Sequence, residues 1–129
     1  GGKVVYSTVL PDEKIMIKKK LLSLCNTVDL ILTTGGTGLS PRDMTPEATL
    51  EVIRREIPGI AEAIRQKGLK KTPHAMLSRA VAGIRGKTLI INLPGSPAGA
   101  KESLEAILPA LPHAVEKIKG SQKECARNE

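Results

Sequence analysis

Residues Val28 to Ala48 constrain this chain more than any other stretch. An apolar run, Val28-Asp29-Leu30-Ile31-Leu32-Thr33-Thr34, passes into a polar loop, Gly35-Gly36-Thr37-Gly38-Leu39-Ser40-Pro41-Arg42-Asp43-Met44, and then into Thr45-Pro46-Glu47-Ala48. Leu30, Ile31 and Leu32 follow one another without a period-two alternation, the pattern of a strand buried on both faces of a parallel sheet. Gly35, Gly36 and Gly38 remove side chains where the backbone leaves that strand, so positive φ costs little and a ligand can approach the N–H groups. Thr45 as N-cap, Pro46 at the first helical position and Glu47 in the first turn predict a helix start. The loop therefore joins the carboxyl end of a buried strand to the amino end of a helix, where open α/β sheets bind ligands.

Glycines alone are equally well explained by the steric needs of a tight strand-to-helix turn. That explanation leaves out Arg42, Asp43 and the hydroxyls of Thr33, Thr34, Thr37 and Ser40, which crowd into the same short loop. A cation, an acid and several hydroxyls beside free N–H groups suit an anion and metal site. The chain has neither a Gly-x-x-x-x-Gly-Lys-Ser/Thr nor a Gly-x-Gly-x-x-Gly motif, so any phosphate chemistry needs a different cradle.

The remaining elements read in order as follows. Lys3 to Leu10, rich in Val and Thr, predicts an edge strand, and Pro11-Asp12-Glu13 ends it and opens a helix. In that helix Ile15, Ile17, Leu21, Leu22, Leu24 and Cys25 make the apolar face, and Asn26-Thr27 ends it. Asp12 is either that helix's N-cap or an acid facing the same cleft as Asp43. Leu50, Ile53, Ile57, Ile60 and Ile64 recur at helical spacing across Pro58-Gly59, predicting two short helices or one kinked one, with Gly68 ending the second. Thr72-Pro73-His74 precedes an expected short helix, Ala75 to Ala82, closed by Gly83; the polar face of that helix holds Ser78 and Arg79. Lys87 to Asn92 predicts a further buried strand, and Leu93-Pro94-Gly95-Ser96-Pro97 repeats the device of strand, glycine turn, hydroxyl N-cap and proline. Helix amino ends at both junctions offer unsatisfied N–H groups to an anion. The last helical region, Ala100 to Ile118, is interrupted at Pro109 and Pro112. These elements predict an α/β three-layer sandwich with a parallel sheet and a cleft at the strands' carboxyl ends.

At 129 residues the chain is one domain by length. It has no Trp or Phe and only Tyr6 as an aromatic, so its core is built from aliphatic side chains and it lacks the stacking platforms of nucleic-acid modules. The net charge of +7 invites an anionic partner. Its cations are spread over Lys18 to Lys20, Arg54-Arg55, Lys67 to Lys71 and Lys117 to Arg127, mostly as solvated helix faces, with Arg42, Arg79 and Arg85 standing where a site would use them. Cys25 and Cys125 have no disulfide or metal spacing, and His74 has no second ligand near it in sequence. No segment approaches the about 18 apolar residues of a spanning helix. The expectation is a soluble cytoplasmic protein with no nucleic-acid partner and no membrane insertion.

Thr33-Thr34-Gly35-Gly36-Thr37-Gly38, with Pro41-Arg42-Asp43 and Thr45-Pro46-Glu47-Ala48, resembles the signature of the molybdopterin adenylyltransferase family, and the chain from about Gly1 to Lys119 is similar to the gephyrin-type G domains within it. Pro11-Asp12-Glu13, Met76-Leu77-Ser78-Arg79, Gly83 to Ser96 and Leu108 to Ala114 carry the rest of the likeness. Members begin with a further strand bearing a Ser/Asp-containing loop, and by that pattern this chain starts after it and lacks the family's first strand. The resemblance implies a molybdopterin-binding-like domain over residues 1–119, followed by a polar tail or linker start over 120–129. It implies transfer of AMP from ATP to the molybdopterin phosphate, with Mg²⁺ as cofactor and release of pyrophosphate. Asp12 and Asp43 carry over as catalytic and metal-binding acids. Thr34, Gly35, Gly36, Thr37, Gly38, Arg42, Thr45, Ser78, Asn92, Pro94, Gly95 and Ser96 carry over as the substrate-binding set. Arg42 either neutralises transferred charge or pairs with Asp43. The resemblance also implies a homotrimer and a following molybdenum-insertion domain. The alternative it leaves open is a trimeric scaffold that binds ligand without turning it over.

Overall fold

The computed structural model of the chain describes residues 2–120. Its elements are α1 (Lys14–Leu24), β1 (Leu30–Thr34), α2 (Thr45–Val52), β2 (Arg55–Glu56), α3 (Pro58–Leu69), a 3-10 turn (Pro73–Leu77), β3 (Ala82–Arg85), β4 (Thr88–Leu93), α4 (Pro97–Ile107), a second 3-10 turn (Leu108–Ala110) and α5 (Leu111–Ile118). The four strands form one sheet in the order β1-β4-β3-β2.

Strand β4 divides the molecule into layers because its side chains alternate between two cores. Leu89, Ile91 and Leu93 pack with Ile64 of α3, Ile107 of α4 and Leu111 of α5. Ile90 points the other way, to Ile31 of β1, Ile17 and Leu21 of α1 and Ala48 and Val52 of α2. All six β4 residues are buried, so the continuous apolar run reads there as expected. The α/β class and the three layers follow directly.

The sheet is mixed. Only β1 and β4 run parallel, in the register Leu30↔Leu89 to Thr34↔Leu93, whereas β3 is antiparallel to β4 and β2 to β3. The expected helix from Ala75 to Ala82 is a 3-10 turn ending at Leu77, followed by strand β3. Gly86, at φ +59, turns the β3–β4 hairpin, and the side chain of Asn26 fills the space a Cβ on Gly86 would take. Two glycines expected as helix stops have other roles. A Cβ on Gly83 would lie 2.6 Å from the Arg55 carbonyl oxygen, so this residue allows β2 to pair. Gly68 lies inside α3, where a Cβ would meet Ala75 at 2.8 Å; it admits the 3-10 turn rather than ending the helix.

The segment Lys3 to Leu10 is not a strand. Among the described residues it has no strand partner, and Lys3 to Val9 are exposed, with Val4 at 82% and Val9 at 96% exposure; a contact between Tyr6 and Lys20 ties it to α1. High β propensity does not make a strand without a partner edge and a buried face. A groove of about 1210 Å³ separates this segment from the outer edge of β1, lined on its apolar side by Leu21, Leu104, Leu108 and Leu111. Strand β1 is accordingly less buried than its sequence suggests, with Leu32 exposed. In α1 only Ile17 and Leu21 are buried, while Ile15 and Leu22 face out. The expected tail lies outside the described residues from Ser121 onward, as does Cys125.

Polar groups fix the β1–β4 register at both ends. At the start, Thr88 Oγ1 donates to the Val28 carbonyl and accepts from Asn26 N–H. At the finish, the fully buried Asn92 donates to Thr33 and Thr49 hydroxyls at 2.9 and 3.0 Å and accepts from Val81 N–H at 3.1 Å. Asn92→Ala is expected to lower unfolding free energy by about 3 kcal/mol, since it strands buried donors and acceptors. Chemical denaturation checks this, and a loss under about 1 kcal/mol would contradict the lock.

Candidate functional site

Because β1 and β4 end level, the turns that follow them meet. The Gly35 N–H donates to the Leu93 carbonyl at 3.1 Å, and a Cβ on Gly95 would sit 3.2 Å from the Gly35 Cα. Any side chain at Gly95 would push the two chain exits apart. Gly35 and Gly36 have φ of +87 and +71, the left-handed region that glycine adopts at no steric cost. Position 36 is doubly restricted, since a Cβ there would collide with the Thr45 hydroxyl. Thr37 and Thr45 are buried beneath the loop.

The two helix starts differ from one another. Helix α4 begins as predicted: Ser96 caps it by accepting from Gly99 N–H at 3.0 Å, and Pro97 is its first residue. Helix α2 begins one residue earlier than expected. Thr45 is its first residue and Met44 stands at the cap without a side-chain bond; the Thr45 N–H donates to the Gly36 carbonyl at 3.2 Å.

The loop is held from below by Arg79. Its Nε donates to the Gly38 carbonyl at 2.8 Å and Nη2 to the Asp43 carbonyl at 2.6 Å, while its backbone N–H donates to the Thr37 carbonyl at 2.9 Å. Nη1 pairs with the Glu47 carboxylate. That hydrogen bond from Arg79, first among the causes, holds the Glu47 carboxyl below its ordinary range. Sequence reasoning marked Arg79 as a site candidate and Glu47 as a first-turn acid, but nothing in a separation of 32 residues announced their pairing.

The structure does not bring all the expected site residues together. Thr34, Gly35, Gly36, Thr37, Gly38, Asp43, Thr45, Pro94, Gly95 and Ser96 lie on the two facing turns or their flanks. Asn92 and Thr33 lie just beneath and are bonded to each other, the rest of the Asn92 amide being taken by Thr49 and Val81. Ser78 stands beside Arg79, and its hydroxyl accepts from Ala80 N–H. Arg42 is exposed and forms no ion pair with Asp43 among the described residues; Asp43 Oδ2 instead accepts from the Ser40 N–H at 3.0 Å. Asp12 is exposed at the end of the unpaired segment. Its role as N-cap is not realised, because Glu13 occupies the cap position of α1. Asp12 lines the same groove as Thr33, Thr34 and Thr45. Among the described residues, no three His, Cys, Asp or Glu side chains gather as a metal cluster, and no helix is long and apolar enough to cross a membrane.

Comparison with known proteins shows the family. The family described as "Probable molybdopterin binding domain" matches residues 1–113. The chain is 48% identical over 118 residues to a molybdopterin adenylyltransferase of Helicobacter pylori, covering 90% of this chain and 67% of that protein. It is 48% identical over 116 residues to gephyrin of Dictyostelium discoideum, covering 89% of this chain and 16% of the relative. Among solved structures, the molybdopterin biosynthesis enzyme MoaB of Thermus thermophilus superposes with a TM-score of 0.80 at 63% identity, covering 86% of this chain and 71% of that one. The Mog protein of Mycobacterium ulcerans gives 0.78 at 47% identity, with 81% and 69% covered. The chain thus spans about two thirds of the Helicobacter enzyme and under a fifth of gephyrin.

The Arg79–Glu47 pair generates a pH prediction. A carboxyl with a lowered folded pKa contributes stability above its unfolded value, about 4.3, and loses that contribution as pH falls through the folded value. The stability difference between wild type and Glu47→Gln is therefore expected to be full at neutral pH and to shrink below about pH 4.3. Denaturation midpoints between neutral and acid pH measure it, and a difference independent of pH would contradict the assignment.

Proposed function

The chain belongs to the probable molybdopterin-binding domain family, and from that premise we propose that it acts in molybdenum cofactor biosynthesis as a molybdopterin adenylyltransferase. An oxygen of the molybdopterin phosphate attacks the α-phosphorus of ATP, the bond to the bridging oxygen breaks, and pyrophosphate leaves. The observation that carries this reading is the contact between the Gly35 and Gly95 turns, which sets two amide-rich helix entries side by side. Phosphoryl chemistry asks chiefly for such positioning and for charge stabilisation. The N–H groups of Gly36, Thr37 and Gly38 on one turn, and of Gly95 and Ser96 on the other, hold phosphate oxygens. Thr34, Thr45, Pro94 and Ser78 line the substrates, and exposed Arg42 neutralises phosphate charge, since its pairing with Asp43 is not formed.

The donor set suits Mg²⁺, which takes oxygen ligands with few carboxylates and completes its shell from phosphate and water. Asp43 keeps Oδ1 free of protein partners among the described residues, and the Asp12 carboxylate has none there either. These two acids would hold the ion, and bound Mg²⁺ supplies charge neutralisation on the phosphates. Assembly as a homotrimer, a cytoplasmic setting and a following molybdenum-insertion domain belong to the same reading. The second reading, a trimeric scaffold that binds but does not turn over ligand, is favoured by one observation: Asp12 stands on a segment without strand pairing.

Asp43→Asn keeps an acceptor for the Ser40 N–H and removes the charge. AMP transfer is expected to fall at least about tenfold, roughly 1.4 kcal/mol of barrier, with melting temperature nearly unchanged. Wild-type turnover in this variant would remove Asp43 from the mechanism. Sedimentation of the chain as a trimer, with no heat of binding for an ATP analogue, would transfer support to the scaffold.

A further inference from the structure

Each carbonyl of the glycine loop that finds a partner does so on the protein side. The Gly36 carbonyl accepts from Thr45 N–H, the Thr37 carbonyl from Arg79 N–H, and the Gly38 and Asp43 carbonyls from the Arg79 guanidinium. In a planar trans peptide the C=O of one residue and the N–H of the next point in opposite directions. Fixing those four carbonyls inward therefore turns the N–H groups of Thr37, Gly38, Leu39 and Met44 outward. None of these four amides donates a hydrogen bond among the described residues.

We infer that Arg79 is the positioning residue of this loop, and that its task is to orient outward-facing amides for an oxyanion of the phosphate or pyrophosphate class. Its Nε, Nη1 and Nη2 each donate to the loop or to Glu47, so it acts on the anion through the loop. The planar guanidinium matters, because it reaches Gly38, Asp43 and Glu47 together from one rigid fork; a lysine ammonium is a single point on a flexible stem. Glu47, in the first turn of α2, orients the fork and ties the loop to the helix it introduces. Arg65 supports the same arrangement from α3, donating to the Ser78 and Ala80 carbonyls on either side of Arg79 at 3.1 Å each.

The anion part of this inference rests on the proposed adenylyl-transfer site; the loop part does not, and the test separates them. Inorganic pyrophosphate is titrated calorimetrically into the wild-type chain, Arg79→Ala and Arg79→Lys, and hydrogen exchange is followed at the bonded amides of Asp43 and Thr45. Both variants are expected to bind pyrophosphate at least about tenfold more weakly, with faster exchange at the two amides. Millimolar guanidinium chloride is expected to restore part of the affinity of Arg79→Ala while leaving Arg79→Lys unchanged, a rescue that general destabilisation would not produce. If Arg79→Ala does not fold, the Arg79→Lys arm carries the same comparison. Wild-type exchange and wild-type affinity in a folded variant would overturn the positioning role. Failure of the wild-type chain to bind pyrophosphate would overturn the anion part, leaving the exchange comparison to decide the loop part.

Discussion

The parallel pairing of β1 with β4, held in register at both ends, is the constraint on which the rest of this structure depends. Thr88 fixes the start through Val28 and Asn26, and Asn92 fixes the finish through Thr33. A slip of one residue would exchange the two faces of β4 and send Leu89, Ile91 and Leu93 into the core built for Ile90. It would also separate Gly35 from Gly95, whose contact requires the strands to end level. Buried polar groups here serve specificity of arrangement first, and the site inherits its geometry from them.

From that level edge the site follows by local chemistry. Two strands that end together must both turn away, and their turns compete for the same space. Glycine at 95 settles the competition by presenting no Cβ to the other chain, and glycine at 35 by adopting the left-handed turn. With the backbones so close, carbonyl oxygens need donors on the protein side, and Arg79 together with Thr45 N–H supplies them. The free donors of the loop are what remains. Several hydroxyls that look like ligand groups in sequence are already engaged: Thr33 with Asn92, Ser96 with Gly99, and Ser40 with Arg42 N–H. The chemistry left exposed to a guest is mainly main-chain amide.

Legibility in the sequence followed the range of the interactions. The buried run Leu89 to Leu93, the Ser96-Pro97 cap and the glycine exits were readable because each rests on residues within a few positions of one another. So was the origin of both glycine turns at strand ends, since each follows an apolar run. Strand β3 is masked in the sequence by the helix-like spacing before it, although Arg85-Gly86-Lys87-Thr88 between apolar segments is a hairpin signal; Gly83 reads as a helix stop, whereas it admits the approach of Arg55. The two-residue strand β2 has no sequence signal, because two exposed residues cannot show a period. Lys3 to Leu10 failed in the opposite sense, with strand composition but neither a pairing edge nor a buried face. The grip of Arg79 on Gly38, Asp43 and Glu47 lay beyond reach, being set wholly by tertiary approach.

The two acids of the proposed site are held in unequal ways, and this difference bears on the proposed reaction. Asp43 belongs to a loop pinned by Arg79 and by its own bond to Ser40, which fix its backbone and its carboxylate. Asp12 belongs to a segment tied down by little more than the contact between Tyr6 and Lys20, across an open groove from β1. Fixing such a segment costs about 1–2 kcal/mol per residue in conformational entropy, which neighbouring contacts must offset before both acids can act on one ion. In the proposed site the glycine loop is therefore preorganised by the fold through Arg79, while the part that depends on Asp12 must be ordered at that entropic cost.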